Sequence, residues 1–279
     1  MKYLLLFAAF ALTACEKVID YPLRSTDEKL IVEGLVTDQP GPYTVRLSGT
    51  TGYLTNGQVP TRDADLVTIT DVEAGLTDTL RRTGAGVYQT TPKLGSGQLN
   101  HSYRLVVVRG SQRVEATSRL RPCTPIDSIS FAYQDPNAVG GPGNGGAPGT
   151  DADRDSAHLV TVYFREPAGR GDYYRVNFYD NGVWRNRNEL FFFDDELYDG
   201  NYGDPRIDGY FVYRRDTVTI EMRSLDRPAY DFYTGLANTQ YQGGTPFDSP
   251  PANAPTNLSG GALGYFSASQ VRTVTGVVR

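Results

Sequence analysis

From Lys29 onward the chain is written in short runs of Val, Ile, Thr, Tyr and Phe, punctuated by Gly, Pro, Asn and Asp. Such side chains suit a pleated, half-buried surface, so the pattern commits the chain to strands that must pair with one another. The first half holds seven of these runs: 29–36, 43–47, 65–71, 76–82, 86–90, 102–109 and 114–119. Between them stand Asp38-Gln39-Pro40-Gly41-Pro42, Asn56-Gly57, Gly84, Gly95-Ser96-Gly97 and Gly110, which supply the conformations that tight turns require. Seven strands over residues 29–121 predict an immunoglobulin-like or transthyretin-like sandwich.

Pro122 and Pro125 lack the amide donor that a strand ladder needs, which puts a domain boundary at residue 122. Strand patterns resume at 126–133, 158–164, 172–179, 183–193 and 209–225, with Asn181-Gly182 as a strong hairpin signal. Residues 134–156 are dominated by Gly and Pro without apolar periodicity, a composition that predicts a mobile loop. One helix is indicated. Asp226 can cap it, Pro228 falls in its first turn, and Tyr230, Tyr233, Leu236, Ala237 and Tyr241 share a face before Gly243-Gly244. Runs at 262–269 and 271–278 would return to close the second sheet. The fold class is therefore all-β: a first sandwich, then a second β-sandwich-like domain over 122–279 with one short helix.

The N-terminus gives an address. Lys2, the apolar run 3–12 and Leu12-Thr13-Ala14-Cys15 have the order of a lipoprotein signal, with residues 1–14 removed and Cys15 lipidated. An apolar run half the roughly 20 residues that a membrane-spanning helix needs argues against a retained span. Each buried acyl methylene contributes about 0.8 kcal/mol, so a doubly acylated Cys15 anchors stably. Residues 15–28 then form a lipidated tether to the first strand. The chain holds two cysteines, so lipidation of Cys15 leaves Cys123 without an intramolecular disulfide partner. A net charge of −5 argues against a nucleic-acid partner.

Catalytic chemistry is thinly represented. The two histidines, His101 and His158, stand in a turn and at a strand start, no G-x-S-x-G elbow occurs, and Cys123 between prolines reads as a packed thiol. Carboxylates are the abundant ligand type. Asp151, Asp153 and Asp155 have the alternate spacing of a calcium loop, but Ser156 and Val162 stand where Gly and a bidentate Glu belong. The cluster Asp194, Asp195, Glu196 and Asp199 could hold a hard cation such as calcium, since adjacent carboxylates repel unless screened. A glycosidase acid pair would need a defined separation that spacing in one loop does not provide. The aromatic density of 173–213 suits either core and cross-strand pairs or a ligand-lining surface.

The ordered segments Cys15-Glu16-Lys17-Val18-Ile19-Asp20, Leu30-Ile31-Val32-Glu33-Gly34, Gly41-Pro42-Tyr43-Thr44-Val45-Arg46-Leu47, Pro125-Ile126-Asp127-Ser128-Ile129 and Asp194-Asp195-Glu196-Leu197 with Gly200 occur in one chain. Phe247, Pro250, Asn257, Gly260-Gly261 and Leu263-Gly264-Tyr265-Phe266 close the series. Together they resemble the domain of unknown function 4249 family of Bacteroidota lipoproteins. The resemblance implies an outer-membrane lipoprotein, often encoded beside TonB-dependent receptors, and no catalytic residues. The expectation is a non-catalytic accessory or binding subunit of a β-barrel transporter, anchored through Cys15 in the outer membrane, with its face, cell surface or periplasm, left open by the sequence. A structural scaffold of an envelope complex and a divalent-cation-dependent hydrolase are the alternatives.

Overall fold

The computed structural model describes residues 27–51, 59–133, 157–187, 189–241 and 253–279. Cys15 and the rest of the N-terminal segment, and the 134–156 stretch with Asp151, Asp153 and Asp155, lie outside the described residues. The described chain is nearly all β, as its residue pattern predicts, and no described helix is long and apolar enough to cross a membrane.

The first sandwich packs two sheets face to face. One contains β1 (Leu30–Thr37), β2 (Thr44–Gly49), β5 (Arg81–Gly84) and β6 (Val87–Gln89); the other contains β3 (Leu66–Asp71), β4 (Leu76–Thr79), β7 (Ser102–Arg109) and β8 (Gln112–Arg119). Period-2 alternation sends Val32, Val45, Leu47, Val67, Ile69, Leu105 and Val107 into one core. The predicted run 76–82 proves to be two strands. Leu80 donates its N–H to Val67 O and turns the chain, so that β4 stays with β3 while β5 crosses to β6 in the facing sheet.

The second sandwich follows the same logic. β9 (Ile126–Tyr133), β10 (His158–Arg165), β14 (Tyr202–Gly203) and β15 (Arg206–Val212) face β11 (Tyr173–Asp180), β12 (Val183–Trp184), β13 (Phe191–Asp194) and β16 (Thr217–Leu225). Its core is built on Val162, Phe164, Tyr174, Phe178, Ile220 and Met222. Asn181 and Gly182 take positive φ values of 49° and 79° in the β11–β12 turn, as the dipeptide predicts. The predicted run 183–193 is interrupted at Asn186. Its buried amide accepts from Phe178 N and Trp184 Nε1 and donates to Val176 O, taking over ladder bonds so that β12 and β13 both pair with β11.

The boundary expected at residue 122 is crossed by the far end of the chain. β17 (Leu263–Ser269) pairs in parallel with β1, from Ile31 opposite Leu263 to Thr37 opposite Ser269, and delivers Phe266 and Ala268 to the first core. Gly264, at φ 93°, lets the backbone approach β1, since a Cβ there would strike the Val32 carbonyl. One residue later the chain changes sandwich: β18 (Val271–Val277) pairs with β16 and closes the second sheet. The expectation of a returning strand thus holds for β18, whereas β17 completes the first sandwich. A parallel partner more than 200 residues away leaves no local signal, because parallel pairing is set by a long crossover and not by a turn.

The helix α1 (Arg227–Tyr241) locks this junction. Asp226 is its N-cap: Oδ1 accepts from Ala229 N at 2.9 Å and from the Tyr265 hydroxyl at 2.8 Å, while Oδ2 accepts from Ser118 Oγ at 2.7 Å. One buried carboxylate therefore joins the helix to β8 and β17. Asp226→Ala removes a cap worth about 1 kcal/mol and strands two buried hydroxyls at about 1–3 kcal/mol each. It is expected to lower the unfolding free energy by roughly 3 kcal/mol or more, measured as a fall in urea midpoint at unchanged slope.

Candidate functional site

Between the sandwiches opens a groove of about 630 Å³, within the roughly 300–1,000 Å³ typical of small-ligand sites. Strand alternation decides what lines it. On β11, Tyr174, Val176 and Phe178 point into the core, so Arg175 points out; on β16, Met222 is inside and Arg223 outside. β1 and β2 present Glu33 and Arg46, Arg187 stands beyond β12, and α1 contributes Phe232, Tyr233 and Leu236 as a third wall. In a chain of net charge −5 the groove gathers four arginines.

Arg175 and Arg223 are register partners on adjacent strands, a placement that like charges oppose. Each has compensation. The Arg175 guanidinium lies 4.6 Å from the Tyr233 ring centroid and 5.9 Å from that of Trp184, and donates to the Tyr233 hydroxyl at 2.6 Å. Arg223 Nη2 pairs with Glu221 Oε1 at 2.6 Å, and Asn177 Nδ2 donates to the same oxygen. The pairing is incomplete: Arg223 Nε and Asn177 Oδ1 are buried without a hydrogen-bond partner. Arg46 and Arg187 are exposed. The arrangement offers bidentate cationic donors beside aromatic faces, which suits a ligand carrying a carboxylate or phosphate on a flat or ring-shaped body.

The aromatic density read from the sequence divides between two tasks. Phe164, Tyr174 and Phe193 stack in the core, whereas Trp184 lines the groove. The arginines escaped the sequence reading because outward strand positions carry polar residues throughout this chain. What marks them is that four converge, and convergence is a property of the fold.

The acidic loop is not gathered into the four-residue site expected. Asp194 accepts from Glu196 N and from the Tyr230 hydroxyl, Asp199 accepts from Gly169 N at 2.6 Å, and Glu196 is exposed. In their turn the three aspartates each accept from a backbone N–H, whereas the Glu196 carboxylate points to solvent. Asp195 alone turns inward; it is buried and accepts from Gly171 N and Asp172 N. There it meets Glu166 and Asp172. Burial, together with the charges of Asp172, Asp195 and Asp199, pushes the Glu166 carboxyl up to about 7.

His101 and Cys123 also find their places. His101 Nδ1 lies 2.9 Å from both oxygens of Asp71, at the turn before β7. Cys123 is buried, its Sγ 3.6 Å from Met222 O, and burial drives its thiol far above the ordinary range, so it stays protonated at neutral pH. Burial pushes the Asp71 carboxyl up, but the Ala74 N–H, His101 and Tyr103 hydroxyl outweigh it and hold the group below its ordinary value. A group that titrates lower when folded stabilises fully above its unfolded pKa, about 4, and loses that contribution as pH falls through the folded value. Asp71→Asn is therefore expected to cost about 1–3 kcal/mol near neutral pH, with the difference from the native chain shrinking as pH drops from about 5 to about 2. Urea midpoints across that range measure it.

The comparisons with known proteins add the family. A search of curated proteins gives no match to this chain. A family model described as a domain of unknown function (DUF4249) matches residues 16–275, which includes both sandwiches, α1 and almost all of β18. With nearly its whole length covered by that model, the chain belongs to the DUF4249 family.

Proposed function

We propose that this protein is a lipoprotein anchored in the outer membrane through Cys15 and that it acts as a non-catalytic binding subunit of a TonB-dependent β-barrel transporter. The inter-sandwich groove is the surface that engages an anionic ligand on its way to the barrel. The observation that carries this reading is the convergence of Arg46, Arg175, Arg187 and Arg223 beside Trp184 and Tyr233, with Arg223 Nε buried and unpaired. A buried guanidinium nitrogen without an acceptor is costly, and on this reading an anion drawn to the Arg223 side chain supplies the acceptor. The lipobox sequence, the resemblance to lipoproteins encoded beside such receptors and the membership of the DUF4249 family support the setting. A scaffold role gives the arginine-lined groove no occupant.

Affinity purification of the full-length lipoprotein from solubilised native membranes tests the setting, and recovery of a large outer-membrane β-barrel partner is the expected result. Repeated recovery of the lipoprotein alone contradicts it. The double neutralisation Arg46→Gln with Arg187→Gln alters two exposed side chains without setting a like charge opposite Glu33, so the melting temperature should hold while retention on an immobilised carboxylate resin falls.

A further inference from the structure

We propose that Glu166, Asp172 and Asp195 form a binding site for one hard divalent cation, with calcium as the ion that fits. The three residues come from three strand ends at one edge of the second sandwich: Glu166 just after β10, Asp172 just before β11 and Asp195 just after β13. One oxygen from each lies within 4.8 Å of the others. Every pair therefore stands no wider than the about 4.6–5.2 Å that separates oxygens across a calcium ion, and calcium accepts carboxylates in flexible geometry where magnesium demands a near-ideal octahedron.

The second observation is Glu166 itself. Only 1% of its surface is exposed, Oε1 accepts from the Tyr174 hydroxyl at 2.7 Å, and Oε2 is buried with no hydrogen-bond partner. A carboxylate oxygen is seldom left so unless something else takes its lone pairs. The other convergent trio makes the contrast. Asp71 accepts from Ala74 N, Tyr103 Oη and His101, and both oxygens of Glu73 accept from Ser102, so protein donors already fill that cluster.

Charge agrees with geometry. Arg121 Nη2 stands 3.6 Å from Asp172 Oδ1 and is the cation paired with the trio among the described residues. With all three ionised, as an ion's ligands must be, three carboxylates less one guanidinium leave a charge of −2, which a divalent ion neutralises. The backbone N–H groups of Gly171 and Asp172 pin Asp195 Oδ2 and thereby pre-organise the site. Asp172 and Tyr174 also line an open cleft of about 740 Å³, which gives an ion a route from solvent.

The test uses the full chain with calcium and with terbium, an oxygen-seeking calcium substitute whose emission is sensitised by a nearby tyrosine such as Tyr174. Calcium should raise the melting temperature over that in chelator, and terbium should light up on tyrosine excitation and be displaced by calcium. Glu166→Gln is isosteric and removes the buried unpaired charge, so in chelator it should melt no lower than the native chain. With the ion it should bind at least roughly tenfold more weakly, since affinity in oxygen-ligand sites follows the number of charged ligands. Glu196→Gln, on the exposed part of the loop, should bind as the native chain does. A melting temperature indifferent to calcium with no sensitised emission, or Glu166→Gln binding undiminished, overturns the assignment.

Discussion

A single buried carboxylate holds the two halves of this molecule in register. Asp226 caps α1 through Ala229 N and at the same time receives the hydroxyls of Ser118 from β8 and Tyr265 from β17. Around it the chain passes between sandwiches with Gln270 as the only residue between β17 and β18, and that residue is itself bonded into both flanks. Its N–H donates to Ser224 Oγ and its Oε1 accepts from Cys123 N, while Ser224 Oγ donates to Arg121 O. These bonds are short and buried, and each loss leaves a polar group unpaired in the interior, so the junction resists bending.

The groove is a consequence of that rigidity. Its walls belong to different sandwiches and to α1, and Phe232 stacks 5.2 Å from Tyr265, so helix and β17 form one continuous surface. A flexible hinge would let Arg46 drift from Arg175 and Arg223; the locked junction fixes their separation before any ligand arrives. That is pre-organisation, and it lowers the ordering cost of binding an anion. The carboxylate trio is arranged by the same means at the other sandwich edge, where three strand ends deliver Glu166, Asp172 and Asp195.

Most strands could be read directly from residue alternation, and the reading erred where a side chain or a distant strand overruled the local pattern. The run 76–82 has continuous strand character, yet Leu80 bonds across to Val67 and sends its two ends to opposite sheets. Residues 183–193 look like one strand because the ladder-replacing bonds of Asn186 are invisible in composition. The helix was legible to its cap, since Asp226, Pro228 and the tyrosine face are all local signals. β17 was legible as a strand but not as the parallel partner of β1. The acidic loop shows the same limit. Adjacent residues 194–196 were grouped by sequence, whereas alternation points Asp195 inward and leaves Glu196 in solvent, and its neighbours Glu166 and Asp172 lie more than 20 residues upstream.

The central claim is that the two sandwiches form one cooperative unit, because β17 completes the first while the strand after it completes the second. Native-state hydrogen exchange across a denaturant series tests it most directly, by comparing the slowest amides of β1 with those of β16. The account predicts that both sets merge into a single opening with the same free energy and the same denaturant slope. Protection of β1 lost in a separate, shallower opening, with β16 still intact, would contradict it.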